Sequence, residues 1–344
     1  MGDVHRLLIR APNWLGDAVM ALPALAAVRR AFEGRTIVVA ALPAVAPIFD
    51  EGTAAAPDEL LAIDRAREQD QLKAAKADAI LLLPNSFGSA WRASRSGAAE
   101  RWGYKAEGRG WLLTRGVARP RGRVQHQVDY YLDLVRGLGL PVPSAAGPAR
   151  PRIDPRPATL VKADALLASA GVAAGQRIVG FAPGAAYGHA KRWAPDRVAQ
   201  VVAGLSRRGV ACVILGAGAD RDTGRAIESS LPPDARLVNL VGRTSLRELV
   251  GVVARCAAFV SNDSGAMHIA AALRVPLTAI FGPTDERVTA PAGDGDADLL
   301  VRDVFCRPCM LRECPIDHRC MKRIDADTVL RSVTAHLESP RRCP

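Results

Sequence analysis

One pattern constrains this 344-residue chain more than any other: a short apolar run, a small or polar loop and a helix, repeated in two halves. In the first half Leu7–Arg10 reads as a strand, residues 11–16 as a loop and 17–30 as a helix. Residues 36–42 and 79–83 read as further strands, and 125–138 as a closing amphipathic helix. The second half restarts with a strand at 177–182, a loop to Trp193 and a helix over 195–208. Strands follow at 210–215, 257–260 and 276–281, and a last amphipathic stretch covers 325–337. Strands alternating with helices imply α/β architecture with parallel, doubly wound sheets. Between the halves, residues 141–157 hold six prolines and no periodicity, the signature of a linker. Two Rossmann-like domains of about 150 residues each follow, and ligands of such sheets bind beyond the carboxyl ends of the strands.

Charge narrows the partners. Lys and Arg number 46 against 35 Asp and Glu, a net +11, which favours polyanions: nucleic acid, phosphorylated molecules or an anionic lipid surface. No zinc-finger, RNP or KH pattern and no aromatic-interleaved basic stretch supports a nucleic-acid reader. No secretory signal is visible, and no segment reaches the roughly 18 apolar residues of a membrane span. The expectation is a cytoplasmic protein in peripheral contact with a membrane. Between Arg92 and Arg123 nine cations face only Glu100 and Glu107. That run is either a solvated face or a dock for a phosphorylated, membrane-embedded acceptor.

Four segments carry chemistry. In Asn13-Trp14-Leu15-Gly16-Asp17, Asp17 either caps the helix behind it or acts as a general base that takes a proton from an attacking hydroxyl. The loop Pro183–Trp193 contains Gly184, where a backbone can approach a ligand, and the adjacent cations Lys191 and Arg192. It reads as a surface loop or as the cationic clamp that a diphosphate leaving group needs. Asn262-Asp263-Ser264-Gly265 stands at a helix start, where backbone N–H groups and the helix dipole form an anion site. His268, one turn further, reads equally as structural or as functional. Cys306, Cys309, Cys314 and Cys320 lie within fifteen residues. Zinc, local disulfides and buried thiols all remain open readings of that cluster.

Together Asn13–Asp17, the loop 183–195, Asn262–His268 and Phe281-Gly282-Pro283-Thr284 resemble glycosyltransferase family 9, over residues 6 to 330 or so. Within it the segments are similar to the second type of lipopolysaccharide heptosyltransferase, and the Cys306–Met321 segment also looks like one found there. The resemblance implies a GT-B fold: two Rossmann-like doubly wound domains facing each other across a cleft. Residues 1–150 would form the acceptor domain and 151–325 the ADP-sugar domain, with a helix within 326–344 crossing back to the first. It implies inverting transfer of L-glycero-D-manno-heptose from ADP-heptose onto a heptose of the phosphorylated lipid A–core oligosaccharide. The place would be the cytoplasmic face of the inner membrane, with no nucleic acid, no cofactor and no metal. Asp17 becomes the catalytic base and Lys191 the group that stabilises departing ADP. Gly184, Arg192, Asn262, Asp263, Ser264, Gly265 and His268 become donor-binding residues. Asp220 or Asp222 would be the acid that holds the ribose or adenine. A sibling of the same family with another sugar or acceptor is the alternative. An epimerase of the same shape would need an acid/base constellation beyond Asp17, and the sequence offers none.

Overall fold

The computed structural model describes residues 4–120, 122, 124–142 and 149–339. The chain forms two units, Met1–Asp154 and Pro155–Pro344, so the division falls at the end of the proline-rich stretch, four residues beyond the expected 150. Prolines 143 and 148 lie outside the described residues.

In the first unit the strands are β1 (Arg6–Arg10), β2 (Thr36–Ala41), β3 (Glu59–Ala62), β4 (Ala79–Leu82), β5 (Glu100–Lys105) and β6 (Arg115–Ala118), ordered β3-β2-β1-β4-β5-β6. In the second they are β7 (Ile178–Ala182), β8 (Ala211–Ile214), β9 (Leu237–Asn239), β10 (Ala258–Asn262), β11 (Leu277–Ile280) and β12 (Ala297–Leu300), ordered β12-β11-β10-β7-β8-β9. All the pairings are parallel. Each sheet therefore has the Rossmann order, with its direction reversal between β1 and β4 or between β7 and β10. Those two strand-end crevices are the expected ligand positions.

The central strands are mostly apolar because helices cover both faces, with polar residues such as Arg10 and Asn262 at strand ends. β4 and β7 are buried at every residue. β3 and β12, at the sheet edges, are largely exposed. On one face of the second sheet, Val198, Val202 and Leu205 of the helix Pro195–Ser206 pack with Val179, Phe181 and Ile214. On the helix Leu246–Arg255, Gly251 lets Thr159 and Ala163 of the helix Pro157–Ser169 approach. A Cβ there would stand 2.7 Å from the Thr159 carbonyl oxygen.

One element departs from the sequence reading. The first helix is broken into Leu15–Met20 and Leu22–Ala31, because Pro23 has no N–H to continue the ladder and its ring crowds the carbonyl four residues back. The last helix, Ala326–Glu338, capped by the Asp325 side chain on the Thr328 N–H at 2.7 Å, belongs to the second unit. Its buried Val329 and Val333 complete that unit's core beside Val260 and Ile280. Residues 326–338 lay their apolar stripe on β10, β11 and the helix 195–206. Residues 340–344 lie outside the described residues.

Replacing Val329 and Val333 together by Ala is expected to cost about 3 kcal/mol through lost burial and residual cavities. Hydrogen exchange on the whole chain should then show β10 and β11 losing protection while β1 and β4 keep theirs. Loss confined to β1 and β4 would contradict this placement.

Candidate active site

In the first unit the site begins at the end of β1. Arg10, the last residue of that strand, is buried and lies 2.7 Å from Glu68 Oε1 through Nε. Its Nη2 donates to Asn13 Oδ1 at 2.8 Å and its Nη1 to the Ala11 carbonyl. The guanidinium therefore fixes the loop that leads to Asp17. Glu68, also buried, has Arg92 Nε 2.8 Å from its other oxygen, an ion pair whose geometry falls short of a hydrogen bond. Two cations thus share one carboxylate, the pairing a buried charge requires.

Asp17 stands third in its helix. Trp14 is the N-cap, and its side chain makes no capping hydrogen bond. Asp17 is therefore a first-turn acid and not the cap, and it stays half-buried. It lies near Tyr131 of the helix Gln127–Gly137. Burial holds that phenol well above its ordinary range, and the Asp17 charge raises it further.

At the neighbouring strand end, β4, Arg109 is fully buried and braces the turn at 84–86. Its Nε donates to the Tyr104 carbonyl at 2.9 Å, and its Nη1 donates to Ser89 Oγ at 3.1 Å and to the Pro84 carbonyl. Burial pulls this guanidinium down to about 10, so it is still charged at neutral pH. The basic run is accordingly reassigned in part. Arg92 is taken by Glu68, Arg115 by Glu100 at 2.9 Å, Arg101 by the carbonyls of Ala98 and Leu112, and Arg109 by the β4 turn. Arg95, Lys105 and Arg119 remain exposed. Arg121 and Arg123 lie outside the described residues.

In the second unit the loops after β7, β10 and β11 meet. Lys191 Nζ lies 2.6 Å from Asp263 Oδ2, and Thr284 Oγ1 donates to the same oxygen at 2.7 Å. The ammonium also stands 4.8 Å from the Tyr187 ring centroid, within cation–π range. Asn262 Nδ2 donates to the Pro183 carbonyl at 2.6 Å and so joins the β10 end to the β7 loop. Gly184 packs against Asp220, whose carboxylate a Cβ there would meet at 2.3 Å. That carboxylate accepts from the Ala217 N–H at 3.1 Å and pairs with Arg192 Nη2 at 3.3 Å. Of the two acids considered for the donor's nucleoside end, Asp220 is thus the one beside Gly184 and Arg192. Asp222 lies on the surface, paired with Arg225.

Ser264 begins the helix Gly265–Ala272 and directs its hydroxyl to Ser261 Oγ at 3.0 Å, which leaves the first-turn N–H groups without a side-chain cap. Residues 264–266 are partly exposed, as an anion site at a helix start must be. His268 is only 4% exposed, inside the fold.

The cysteine segment acts as a strap over these loops. His318 Nε2 contacts the Ala190 carbonyl at 2.6 Å, the Ala190 N–H donates to the Arg312 carbonyl at 2.9 Å, and the Tyr187 hydroxyl donates to the Met310 carbonyl at 2.8 Å. Arg307 Nε donates to the Gly282 carbonyl at 2.6 Å. Cys306, Cys309, Cys314 and Cys320 line one enclosed cavity beside Ala190 and Pro283. Burial pushes the Cys320 thiol up, and the other three add to it. All four are free thiols. Among the described residues no three His, Cys, Asp or Glu side chains gather as a metal site would require.

Within the second unit the structure brings Lys191, Arg192, Gly184, Asn262, Asp263, Ser264 and Gly265 together, and in the first unit Asp17 lies in the helix that follows β1. Sequence reasoning missed Arg10, Glu68, Tyr187 and Thr284 as working parts. Thr284 and Tyr187 left a signal, in the Phe281–Thr284 segment and in the loop Pro183–Trp193.

Two Rossmann-like units, with a cation and a helix start at the β7/β10 reversal, have the GT-B architecture. The model of glycosyltransferase family 9 (heptosyltransferase) matches residues 65–319, and the chain belongs to that family. It is 32% identical over 290 residues to lipooligosaccharide heptosyltransferase 2 of Haemophilus influenzae, a match covering 83% of this chain and 77% of that one. Among solved structures, ADP-heptose lps heptosyltransferase II of E. coli superposes with a TM-score of 0.81 at 26% identity, over 96% of this chain and 98% of that one. A family 9 glycosyltransferase of Veillonella parvula reaches 0.83 at 20% identity, over 97% of each chain, and speaks for the fold. No helix among the described residues is long and apolar enough to cross a membrane.

Glu68→Ala leaves the buried Arg10 uncompensated and is expected to cost about 3–5 kcal/mol. Glu68→Gln, which keeps an acceptor for Arg10, should cost less. Urea unfolding of the two variants checks the order, and an Ala variant as stable as wild type would remove Arg10 and Glu68 from this role.

Proposed function

We propose that the protein transfers L-glycero-D-manno-heptose from ADP-heptose to a heptose of the lipopolysaccharide inner core, with inversion, at the cytoplasmic face of the inner membrane. The observation that carries the reading is the Lys191–Asp263–Thr284 group beside the helix start at Ser264. The relatives' names support it: lipooligosaccharide heptosyltransferase 2 and ADP-heptose lps heptosyltransferase II.

On this reading Asp17 accepts the proton of the acceptor hydroxyl as its oxygen bonds to the anomeric carbon. The bond from that carbon to the diphosphate oxygen breaks on the opposite face, which inverts the centre. Negative charge then grows on ADP. Lys191 and the first-turn N–H groups after Ser264 stabilise that charge, and they do so without reorganising because Asp263 and Thr284 already fix the ammonium. Arg192, held by Asp220, and the close backbone at Gly184 are assigned to the rest of the donor. Asn262 serves by tying the two loops together. His268, being buried, is assigned to holding the helix against the donor side of the site.

The test is ADP release by purified protein supplied with ADP-heptose and a core acceptor bearing one heptose, with the product's anomeric configuration read by NMR. Acceptor-dependent release with an inverted linkage is expected. Asp17→Asn should lower kcat about 10²- to 10⁴-fold, and Lys191→Ala about 10²- to 10³-fold. Turnover only with another nucleotide sugar or acceptor would move the function to a sibling reaction. A retained configuration would overturn the single-displacement mechanism.

A further inference from the structure

The helix Phe87–Ser94 turns Ser89, Ala90 and Ala93 inward. Phe87, Trp91 and Arg95 follow at four-residue spacing on the other side, which stacks them along one helical face. Phe87 is 43% exposed and Trp91 42%, and Trp111, from the turn Arg109–Leu112, is 70% exposed. The Phe87 ring centroid lies 6.3 Å from that of Trp91, nearly parallel at 17°, and 6.3 Å from that of Trp111. The Arg95 guanidinium stands 5.6 Å from the Trp91 ring centroid. Three large rings thus form one continuous patch on the surface, where single scattered apolar side chains would need no explanation.

The border of the patch is cationic. Arg95 and Lys105 are exposed, and the Lys105 stem runs beside Gly110, next to Trp111 in the chain. Glu107 is the one acid of the intervening turn. Unlike Arg92, Arg101, Arg109 and Arg115, which internal partners hold, Arg95 and Lys105 are set at the rim of the rings. None of these groups has a part in the chemistry assigned to Asp17 or Lys191.

We propose that this patch is an interfacial anchor for an anionic phospholipid bilayer. Trp and Phe rings settle at the head-group level, where an amphipathic helical face lies in the plane of the interface. Arg95 and Lys105 face the lipid phosphates, an attraction that fades beyond the Debye length. Exposed aromatics also serve as platforms for sugars. Such platforms need polar side chains to meet the hydroxyls, however, and the stripe of Phe87, Trp91 and Arg95 contains no Asp, Glu, Asn or Gln. The Phe87 and Trp91 rings are moreover stacked on one another. The inference deepens the membrane contact in the proposed function, but its first test needs no turnover.

Full-length protein would be sedimented with vesicles of phosphatidylcholine alone and of phosphatidylcholine mixed with phosphatidylglycerol, including a brominated lipid to quench tryptophan. Wild type should bind the anionic vesicles, with quenching, and should bind phosphatidylcholine more weakly. Trp91→Ser/Trp111→Ser should lose about tenfold in binding and most of the quenching, and Arg95→Glu should lose the preference for anionic lipid. Circular dichroism should show both variants folded, and both should keep wild-type turnover on a deacylated acceptor without vesicles. Unchanged vesicle binding in the double variant overturns the proposal. So does a fall in kcat/KM on the deacylated acceptor with vesicle binding intact, which assigns the rings to sugar recognition. Failure of the heptosyl reading would show instead as absent turnover in wild type, with the vesicle result untouched.

Discussion

The contact between Lys191 and Asp263 organises the second unit's site. An ammonium and a carboxylate 2.6 Å apart, both largely out of solvent, persist only where their remaining hydrogen-bonding capacity is met. Thr284 meets part of it on the acid, and the Tyr187 ring faces the ammonium. These groups come from the ends of β7, β10 and β11 and from the loop behind β7, so the parallel register of the sheet sets their spacing. The strap at 306–320 then grips the same loops from outside through His318, Arg312 and Arg307. The cysteine segment is thus tied to the chemistry by position, as a brace for the loop that carries Lys191.

The first unit solves a similar problem with different groups. Arg10 must leave the strand end pointing inward to hold Asn13, and it can do so only because Glu68 supplies a buried counter-charge. Glu68 in turn engages Arg92 on the helix Phe87–Ser94. One carboxylate therefore links the loop before Asp17 to the helix that carries the aromatic patch. Much of the basic run serves this internal wiring, and fewer of its cations face outward than the charge count alone implies.

The parts legible in the sequence were those whose physics is local. β1, β2, β4, β7, β8, β10 and β11 each hold a short buried apolar run, and that run announces them. β3, β9 and β12 lie at or near sheet edges with exposed or half-exposed residues. β5 and β6 hide inside the charged run, with Arg101 and Arg115 in the strands themselves. Asp17, Lys191 and Asp263 were visible because strand-end loops of small and charged residues are unusual. The contacts that hold the two sites together were not. Glu68 is 58 residues from Arg10 and Thr284 is 21 from Asp263, distances that only the folded sheet closes. The destination of the last helix was equally hidden, since an apolar stripe shows that a helix packs but not on which unit.

The account holds that Asp263 works through Lys191, by holding the ammonium where charge develops on the leaving diphosphate. A double-mutant cycle on kcat with Lys191→Ala and Asp263→Asn tests this most directly. Groups that act as one unit are non-additive, so the double variant should be no slower than the slower single variant. Losses that simply multiply would mean that the two residues act independently, and would contradict the account.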